Sequence, residues 1–233
     1  MKSSKLILGD GLLGSELVKQ TDWDFISRKK DGFDFTNIDS YKNYLSEYDV
    51  IINCIADCNT YGENKNNHWN VNYKGVVDLV DYLLSRNKKL VHISTDYVYS
   101  NSKLSSTEED VPVHCGNWYG YTKLLSDGYV QLKMDEYLLV RTTHKKIPFT
   151  HKEGYINQVG NFDYVDVIAT LIKRLIKKNA NGIYNVGTEL KTMYDLARKT
   201  KEDVVPVNNK FHSTMPTNVS MDLSKLNELL NGD

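Results

Sequence analysis

Residues 5–20 read Lys-Leu-Ile-Leu-Gly-Asp-Gly-Leu-Leu-Gly-Ser-Glu-Leu-Val-Lys-Gln. The first four of these residues are a short apolar run that predicts a strand, and the last six have the pattern of a helix. Between the two, Gly9, Gly11 and Gly14 have the spacing G-x-G-x-x-G. In this context Gly9 permits a tight turn, Gly11 lets the backbone approach a pyrophosphate, and Gly14 allows close packing of helix on strand. The stretch therefore predicts a dinucleotide-binding turn; a glycine-rich turn without a ligand is the alternative.

The rest of the chain alternates between strand and helix patterns. Strands are predicted at residues 23–26, 33–35, 49–56, 89–94, 137–141 and 182–186. Helices are predicted at residues 38–47, 68–87, 120–134, 164–178 and 223–230. Residues 142–160 have no clear period and are expected to be irregular. Such alternation predicts an α/β fold, a Rossmann-like doubly wound parallel sheet with right-handed crossovers and with ligands at the carboxyl ends of its strands.

A second motif is the pair Tyr119 and Lys123, four residues apart in the sequence Tyr-Gly-Tyr-Thr-Lys. Residues at this spacing share one face of a helix, so the ammonium group of Lys123 can lie near the phenol of Tyr119. A nearby positive charge lowers the pKa of a phenol from its usual value of about 10. The pair could then exchange a proton with a substrate oxygen, although the same spacing also arises by chance on solvated helices.

Composition narrows the class of protein. The chain has 233 residues and a net charge of −1 from 29 basic and 30 acidic side chains, which points away from nucleic acid and membrane surfaces. No apolar run approaches the length of a bilayer span, and the N-terminus lacks the pattern of a signal peptide, so a cytoplasmic location is expected.

Cysteine and histidine residues are sparse. Cys54, Cys58 and Cys115 are expected to be reduced thiols, and their spacing does not favour a metal site. The six histidines are scattered and are expected on the surface or in loops.

Four motifs in order resemble the extended short-chain dehydrogenase/reductases, and within them the dTDP-4-dehydrorhamnose reductase group. They are the glycine turn, residues 53–56 (Asn-Cys-Ile-Ala), residues 94–99 (Ser-Thr-Asp-Tyr-Val-Tyr) and the Tyr119 and Lys123 pair. Further resemblances at residues 34–37, 71–75, 139–142, 182–187 and 216–225 extend the similarity over nearly the whole chain.

The resemblance implies an NAD(P)H-dependent reductase of a nucleotide-linked 4-keto-6-deoxysugar, in deoxysugar or rhamnose biosynthesis for polysaccharide or glycan. Tyr119 would supply the proton to the carbonyl oxygen, Thr95 would hydrogen-bond that oxygen, and Lys123 would tune Tyr119 and hold the nicotinamide ribose. The cofactor-binding residues that it implies are Gly9, Gly11, Leu12, Leu13, Gly14, Ser27, Arg28, Asp34, Phe35, Cys54, Ile55, Ala56, Tyr119 and Lys123.

The choice of cofactor depends on residues 27–30, Ser-Arg-Lys-Lys, which follow the second predicted strand. Proteins that prefer NAD often have an acidic residue there to bind the ribose 2′-hydroxyl, whereas basic residues suit a 2′-phosphate. NADP(H) is therefore the expected cofactor, with NAD(H) as the alternative, because a basic loop can also be merely solvated.

The expected organisation is one domain over residues 1–233, with residues 142–166 and 188–233 forming a reduced substrate-binding lobe. The family typically has a longer insertion between the sixth strand and the late helix, whereas residues 142–166 are a short segment here. The lobe is therefore expected to be small. A homodimer is the assembly considered. Two rival functions remain open, a cofactor-binding regulatory protein without turnover and a nucleotide-sugar epimerase or dehydratase. Related 4,6-dehydratases have an acidic pair directly after the threonine that corresponds to Thr95. Here Asp96 is followed by Tyr97, which argues for reduction without the elimination step of a dehydratase.

Overall fold

A parallel β-sheet runs through the centre of the protein. The structure is a computed structural model that describes residues 4–61, 64–113, 116–210 and 214–232. The strands within these residues are β1 (Lys5–Leu8), β2 (Asp24–Ile26), β3 (Val50–Asn53), β4 (Lys89–Ile93), β5 (Tyr137–Arg141), β6 (His144–Lys145), β7 (Glu153–Tyr155), β8 (Val159–Gly160), β9 (Asp163–Tyr164), β10 (Gly182–Asn185), β11 (Lys191–Thr192), β12 (Val205–Val207) and β13 (Asn218–Val219). The α-helices are α1 (Leu12–Gln20), α2 (Arg28–Asp31), α3 (Lys42–Leu45), α4 (Lys65–His68), α5 (Gly75–Leu84), α6 (Trp118–Lys133), α7 (Val165–Lys177), α8 (Met193–Arg198) and α9 (Ser224–Asn231). Two 3-10 turns, Ile38–Ser40 and Asp96–Tyr99, and a π-helical segment, Trp69–Lys74, complete the helical parts.

The central sheet has six parallel strands in the order β10-β5-β4-β3-β1-β2. Leu8 at the end of β1 pairs with Ile26 of β2 on one side and with Asn53 of β3 on the other. The chain therefore changes its direction of travel across the sheet after β2, and a crevice forms where the carboxyl ends of β1 and β3 diverge. The doubly wound parallel sheet predicted from the sequence is confirmed.

Helices cover both faces of this sheet because the side chains of each strand alternate between them. In β1, Ile7 packs with Leu17 of α1 and Ile172 of α7, whereas Leu6 and Leu8 pack on the opposite face with the apolar side of α5. All five side chains are inaccessible to water or nearly so. The sheet is thus held between two apolar layers, which fixes its strands and leaves their carboxyl ends free to form a site.

Short strands from the later part of the chain form a second layer beside those ends. β8 pairs with β11 and β13, β7 pairs with β12, and β6 pairs with β9. Their side chains share a small apolar core that includes Phe149, Phe162, Tyr164 and Leu196. Residues 142–160 were expected to be irregular, but they contain β6, β7 and β8.

The expected third strand at residues 33–35 is wrong. Asp34 instead closes a turn, because its carboxylate accepts hydrogen bonds from both the backbone N–H and the hydroxyl of Thr36. Its own N–H donates to the hydroxyl of Ser40, while Phe35 packs against Tyr41. β2 is consequently the edge strand of the sheet.

Two predicted helices are also divided. Residues 38–47 form a 3-10 turn followed by the short helix α3 rather than one helix. The helix predicted at residues 68–87 begins earlier, as α4, and passes through the π-helical segment before continuing as α5. Inside the π-helical segment, the Asn72 amide bonds both the N–H and the carbonyl of Asp57, and so ties this helix to the loop after β3.

Replacing Gly14 with alanine should destabilise the protein, since an added Cβ would lie 2.0 Å from the carbonyl oxygen of Gly9. Overpacking of this kind costs about 1–3 kcal/mol of unfolding free energy. The matched control is Gly128→Ala in α6, where a Cβ meets no atom within 4 Å. Removing a helical glycine at such a position stabilises a protein by up to about 1 kcal/mol. Urea denaturation measures both variants, and equal stabilities would contradict the close packing of α1 on the turn.

Candidate active site

The glycine turn presents the N-terminus of α1 to an open space. Gly9 has φ +95°, a conformation that L side chains rarely adopt, and its N–H donates to the carbonyl of Ile26 at 2.9 Å. Gly11 caps α1 without any side-chain hydrogen bond, and a Cβ there would meet nothing within 4 Å. Free N–H groups at a helix start are suited to phosphate. The residues present therefore fit the pyrophosphate of a dinucleotide.

A cavity of about 270 Å³ lies on one side of this turn. Of the three basic residues that follow β2, Arg28 lines it, whereas Lys30 folds back over the ring and carbonyl of Phe25. Asp34 lines the same cavity, and the N–H and hydroxyl of Thr36 hold the pKa of its carboxyl below the usual value. The expected cofactor residues along this cavity, which we call the first cavity, are Gly9, Gly11, Arg28, Asp34, Phe35, Cys54, Ile55 and Ala56.

Two expected cofactor residues have structural roles and do not line a cavity. The hydroxyl of Ser27 accepts from the N–H of Lys30 and caps α2, which places Arg28 at the start of that helix. Gly14 lies against the carbonyl of Gly9 inside the turn.

A second cavity, of about 330 Å³, extends from the other side of the turn. Gly11, Leu12 and Leu13 form one wall, and Thr95 and Tyr119 lie across from them. Thr95 follows β4 by two residues and caps the 3-10 turn Asp96–Tyr99. Its hydroxyl accepts from the N–H of Tyr97 and donates to Asp96. Two of the three expected catalytic side chains are therefore brought to the same cavity as the glycine turn.

The position of Tyr119 follows from how α6 begins. The side chain of Asn117 accepts from the N–H of Gly120 at 2.8 Å and caps the helix, which puts Tyr119 in the first turn, beside the cavity. Burial raises the pKa of Tyr119 well above its ordinary value, Cys58 raises it further, and the Thr95 hydroxyl opposes the shift. This differs from the expected lowering of the pKa by Lys123. A phenol in this state keeps its proton at neutral pH and is suited to donate it.

Lys123 lies one turn further along α6, and its side chain is almost completely buried. Its ammonium nitrogen is 2.7 Å from the carbonyl of Ile93 and 2.9 Å from Nε2 of His92. Burial lowers the pKa of Lys123 to about 8, although Asp127 opposes the shift. Lys123 lines neither the first nor the second cavity, so the structure places it behind Tyr119 rather than at the cavity wall.

A third cavity, of about 480 Å³, continues beyond the second and lies against the layer of short strands. The two cavities share four wall residues, Cys58, Thr60, Tyr97 and Lys145. The other walls combine aromatic and basic side chains with a few polar groups, and include Tyr61, Phe149, His151, Lys152, Tyr155, Gln158, Met193 and Met215. The three cavities thus form a series along the carboxyl ends of the strands.

Lys145 is the charged residue at the junction of the second and third cavities. It lies in β6, whose pairing with Tyr164 of β9 fixes its position. Burial lowers the pKa of Lys145, and Asp96 opposes that shift across the site. Within residues 4–61, 64–113, 116–210 and 214–232 the ammonium group makes no hydrogen bond and no close ion pair. A half-buried cation that makes no hydrogen bond within its own protein can bind an anionic or carbonyl oxygen of a ligand.

Asp96 lies close by and completes the charge balance. Its carboxylate accepts a hydrogen bond from the hydroxyl of Thr143, and burial raises the pKa of Asp96 to about 6. Above that pH the carboxylate is ionised and faces Lys145.

Sequence reasoning missed several residues of this region. His92 and His68 are fully buried, so the expectation that the histidines lie on the surface or in loops is wrong for both. The signal for His92 was its position inside the apolar run of β4. Cys58 and Lys145 were missed as cavity residues because neither belongs to a motif. Cys54 and Cys58 are free thiols, as expected, and Cys115 lies outside the described residues.

Two kinds of feature are absent from the described part of the chain. None of its helices is long and apolar enough to cross a membrane. The same residues contain no group of three or more His, Cys, Asp or Glu side chains placed to hold a metal ion.

Comparison with known proteins places these features in context. The RmlD substrate binding domain family matches residues 5–144. A crystal structure of dTDP-4-dehydrorhamnose reductase from Bacillus anthracis in complex with NADP is 24% identical, with TM-score 0.84, over 100% of this chain and 94% of that one. A dTDP-4-dehydrorhamnose reductase structure from Clostridium acetobutylicum is 26% identical, with TM-score 0.81, over 100% and 94% of the two chains. A hypothetical dTDP-4-dehydrorhamnose reductase from Sulfolobus tokodaii is 25% identical, with TM-score 0.82, over 98% and 96%. A comparison with curated protein sequences returned no match.

Proposed function

The chain belongs to the RmlD substrate binding domain family, and we propose that it is a reductase of a nucleotide-linked 4-keto-6-deoxysugar that prefers NADPH and accepts NADH as the alternative. One observation carries the proposal: a single cavity joins the N-terminal turn of α1 to the hydroxyls of Thr95 and Tyr119. A cofactor on the turn and a ketone at those hydroxyls would therefore meet. The solved reductases with the same fold support the assignment.

Successive cavities would bind successive parts of the cofactor and the substrate. The glycine turn and the start of α1 would hold the pyrophosphate, and the first cavity would hold the adenosine end beside Arg28 and Asp34. When bound, the reduced nicotinamide supplies the hydride. Because α6 and β4 fix Tyr119 and Thr95, neither side chain needs to reorganise when a substrate arrives.

Proton delivery is assigned to Tyr119. Its raised pKa keeps the phenol protonated, so it can donate to the carbonyl oxygen as negative charge develops there. The hydroxyl of Thr95, which is nearly completely buried and accepts from the N–H of Tyr97, would turn its proton from Asp96 to the same oxygen and donate a second hydrogen bond. From behind Tyr119, the ammonium form of Lys123 would stabilise the phenol as it gives up its proton. The contact of Lys123 with the nicotinamide ribose stays a prediction of the family resemblance.

The third cavity is the proposed binding site of the nucleotide sugar. Its walls come from residues 58–61, from Tyr97 and from parts of 142–166 and 188–233, which supports a reduced substrate-binding lobe built from the latter two segments within one domain. Aromatic rings such as Tyr61 and Phe149 suit a base or sugar face, and Lys145 and Lys152 suit a diphosphate or sugar oxygen.

Two further parts of the proposal concern the location and the assembly of the protein. The free thiols of Cys54 and Cys58 support a reducing compartment such as the cytoplasm. A homodimer is proposed because Trp69 and Trp118, on adjoining helical segments, each expose more than a third of their surface.

Replacing Tyr119 with phenylalanine should lower kcat by about 10²- to 10⁴-fold, the usual contribution of a positioned acid. The test follows NADPH absorbance with dTDP-4-dehydro-6-deoxy-L-mannose made in situ, and NADPH binding should be unchanged. Tyr121→Phe, two residues along α6 and outside the cavity walls, is the control and should keep its activity. A loss of less than tenfold in Tyr119→Phe would refute the acid assignment. Tight cofactor binding without NADPH consumption by the unaltered protein would favour another sugar or a regulatory role instead.

Replacing Arg28 with aspartate should weaken NADPH binding by about tenfold or more, because a charge-assisted hydrogen bond contributes about 1.5–3 kcal/mol. NADH binding should change little, since that cofactor has no 2′-phosphate. Lys29→Asp makes the same change of charge outside the first cavity and should spare both cofactors. Fluorescence titration measures the four affinities, and equal losses for NADPH and NADH in Arg28→Asp would contradict 2′-phosphate recognition.

Replacing Lys145 with methionine should raise KM for the nucleotide sugar at least about tenfold, by the loss of one charge-assisted contact. The Kd for NADPH should stay within twofold of the unaltered protein. Its neighbour Lys146 is exposed and does not line a cavity, so Lys146→Met is the control. Steady-state kinetics with both variants would show whether Lys145 contacts the substrate; an unchanged KM would exclude it.

A further inference from the structure

A buried histidine, His92, lies directly behind the catalytic lysine, and the mechanism above does not use it. Its ring is inaccessible to water in the middle of β4. Nε2 lies 2.9 Å from the ammonium nitrogen of Lys123 and Nδ1 lies 3.3 Å from the amide nitrogen of Asn53. A neutral imidazole has one donor and one acceptor nitrogen, so the neighbours of the ring determine which nitrogen holds the proton.

Asn53 determines the Nδ1 side. Its carboxamide oxygen accepts the backbone N–H of Ile55 at 3.0 Å, which fixes the orientation of the amide. The NH₂ group of Asn53 must then face His92, and a donor in that position requires Nδ1 to be the acceptor. Turning the amide over would set two donors against each other at Ile55.

Ser126 and Lys123 determine the Nε2 side. The hydroxyl of Ser126 donates its proton to the carbonyl of Lys123 at 2.8 Å, so a lone pair of its oxygen faces Nε2 of His92 at 3.4 Å. Both sides of the ring therefore place the imidazole proton on Nε2. That proton points at the side-chain nitrogen of Lys123, which can accept it only as a neutral amine.

We propose that Ile55 N–H, Asn53, His92 and Lys123 form a buried hydrogen-bond chain that favours the neutral amine of Lys123. His92 and Asn53 are positioning residues that act through Lys123, and the carbonyl of Ile93 receives one of the remaining amine protons. The hydrogen-bond chain begins at the wall of the first cavity, because Ile55 lines that cavity, and it ends behind Tyr119. It links the loop that would hold the cofactor to the charge of the lysine.

Other groups near Lys123 act with or against this chain. Burial favours the neutral amine, which is consistent with a pKa of about 8 for Lys123. Asp127 on the same helix and Cys58 and Cys54 on the side of β3 favour the ammonium form. His92 itself stays neutral, because burial and the charge of Lys123 both lower its pKa. Lys123 can therefore change its charge within the pH range in which an enzyme works.

The first test is nuclear magnetic resonance of the full chain, and it does not depend on any reductase activity. Imidazole ¹⁵N shifts separate a protonated from a bare ring nitrogen, and ¹³Cε shifts of labelled lysine follow the titration of Lys123. Signals are assigned by their loss in His92→Gln and Lys123→Arg. Above pH 8 we expect Nε2 of His92 to be protonated and Nδ1 to be bare, with a midpoint for Lys123 near 8. A proton on Nδ1, or a midpoint near the ordinary value of about 10.4, would overturn the chain.

The second test reverses the chain with Asn53→Asp. The new carboxylate still accepts from Ile55 but can no longer donate to His92, so the imidazole proton should move to Nδ1. Nε2 then accepts from an ammonium group, and the midpoint of Lys123 should rise by at least about one unit, a tenfold change in proton affinity. Ser126→Ala removes only the 3.4 Å contact and should leave both signals in place. A raised midpoint with an unchanged histidine proton would show direct action of the new charge, and would overturn the proposal, as would a reversal in Ser126→Ala.

Discussion

The arrangement of the site depends on burying the charge of Lys123 without isolating it. A buried ammonium group is costly unless polar groups surround it, and the sheet supplies those groups from adjacent strands. His92 and Ile93 come from β4, and Asn53 supports His92 from β3. Because two neighbouring parallel strands must keep their register for these contacts to form, the surroundings of Lys123 depend on the pairing of β3 with β4.

A buried polar layer, formed by Arg141, Asp127 and Tyr99, lies beneath Lys123. Arg141 of β5 and Asp127 of α6 are both inaccessible to water, 3.5 Å apart, and Arg141 also donates to the hydroxyl of Tyr99. Burial raises the pKa of Asp127, while Arg141 and Lys123 oppose the shift. Removing one member of such a set leaves an uncompensated charge, which costs about 3–5 kcal/mol for a buried pair. The polar layer therefore holds α6 against the sheet in one position, and that position determines where Tyr119 points.

Local patterns were sufficient for the parts of the fold that follow from them. β1 was predicted to the residue, and α1 was predicted with the correct end but begins at Leu12, before the residues that have the helical pattern. Strand, turn and helix all lie within sixteen consecutive positions, so local patterns were enough to find them. The turn at Asp34 was mistaken for a strand because its cause is a tertiary contact, the packing of Phe35 on Tyr41, together with hydrogen bonds to Thr36 and Ser40. The pairings of β8 with β11 and β13 involve two residues each from distant segments, and no local period can reveal them.

The candidate site shows the same division between motif and environment. Sequence spacing identified Tyr119 and the family resemblance identified Thr95, and the structure brings both to one cavity. Spacing predicted the wrong direction for the pKa of Tyr119. Spacing reports which residues are neighbours, whereas a pKa depends on how much water the fold excludes around them. Because the pKa of Tyr119 is raised, the phenol keeps its proton at neutral pH. Because the pKa of Lys123 is lowered to about 8, the charge of the lysine depends on pH. That distribution suits a site that gives a proton to a ketone, because the phenol holds its proton before the reaction and the ammonium form of Lys123 favours the phenolate that remains.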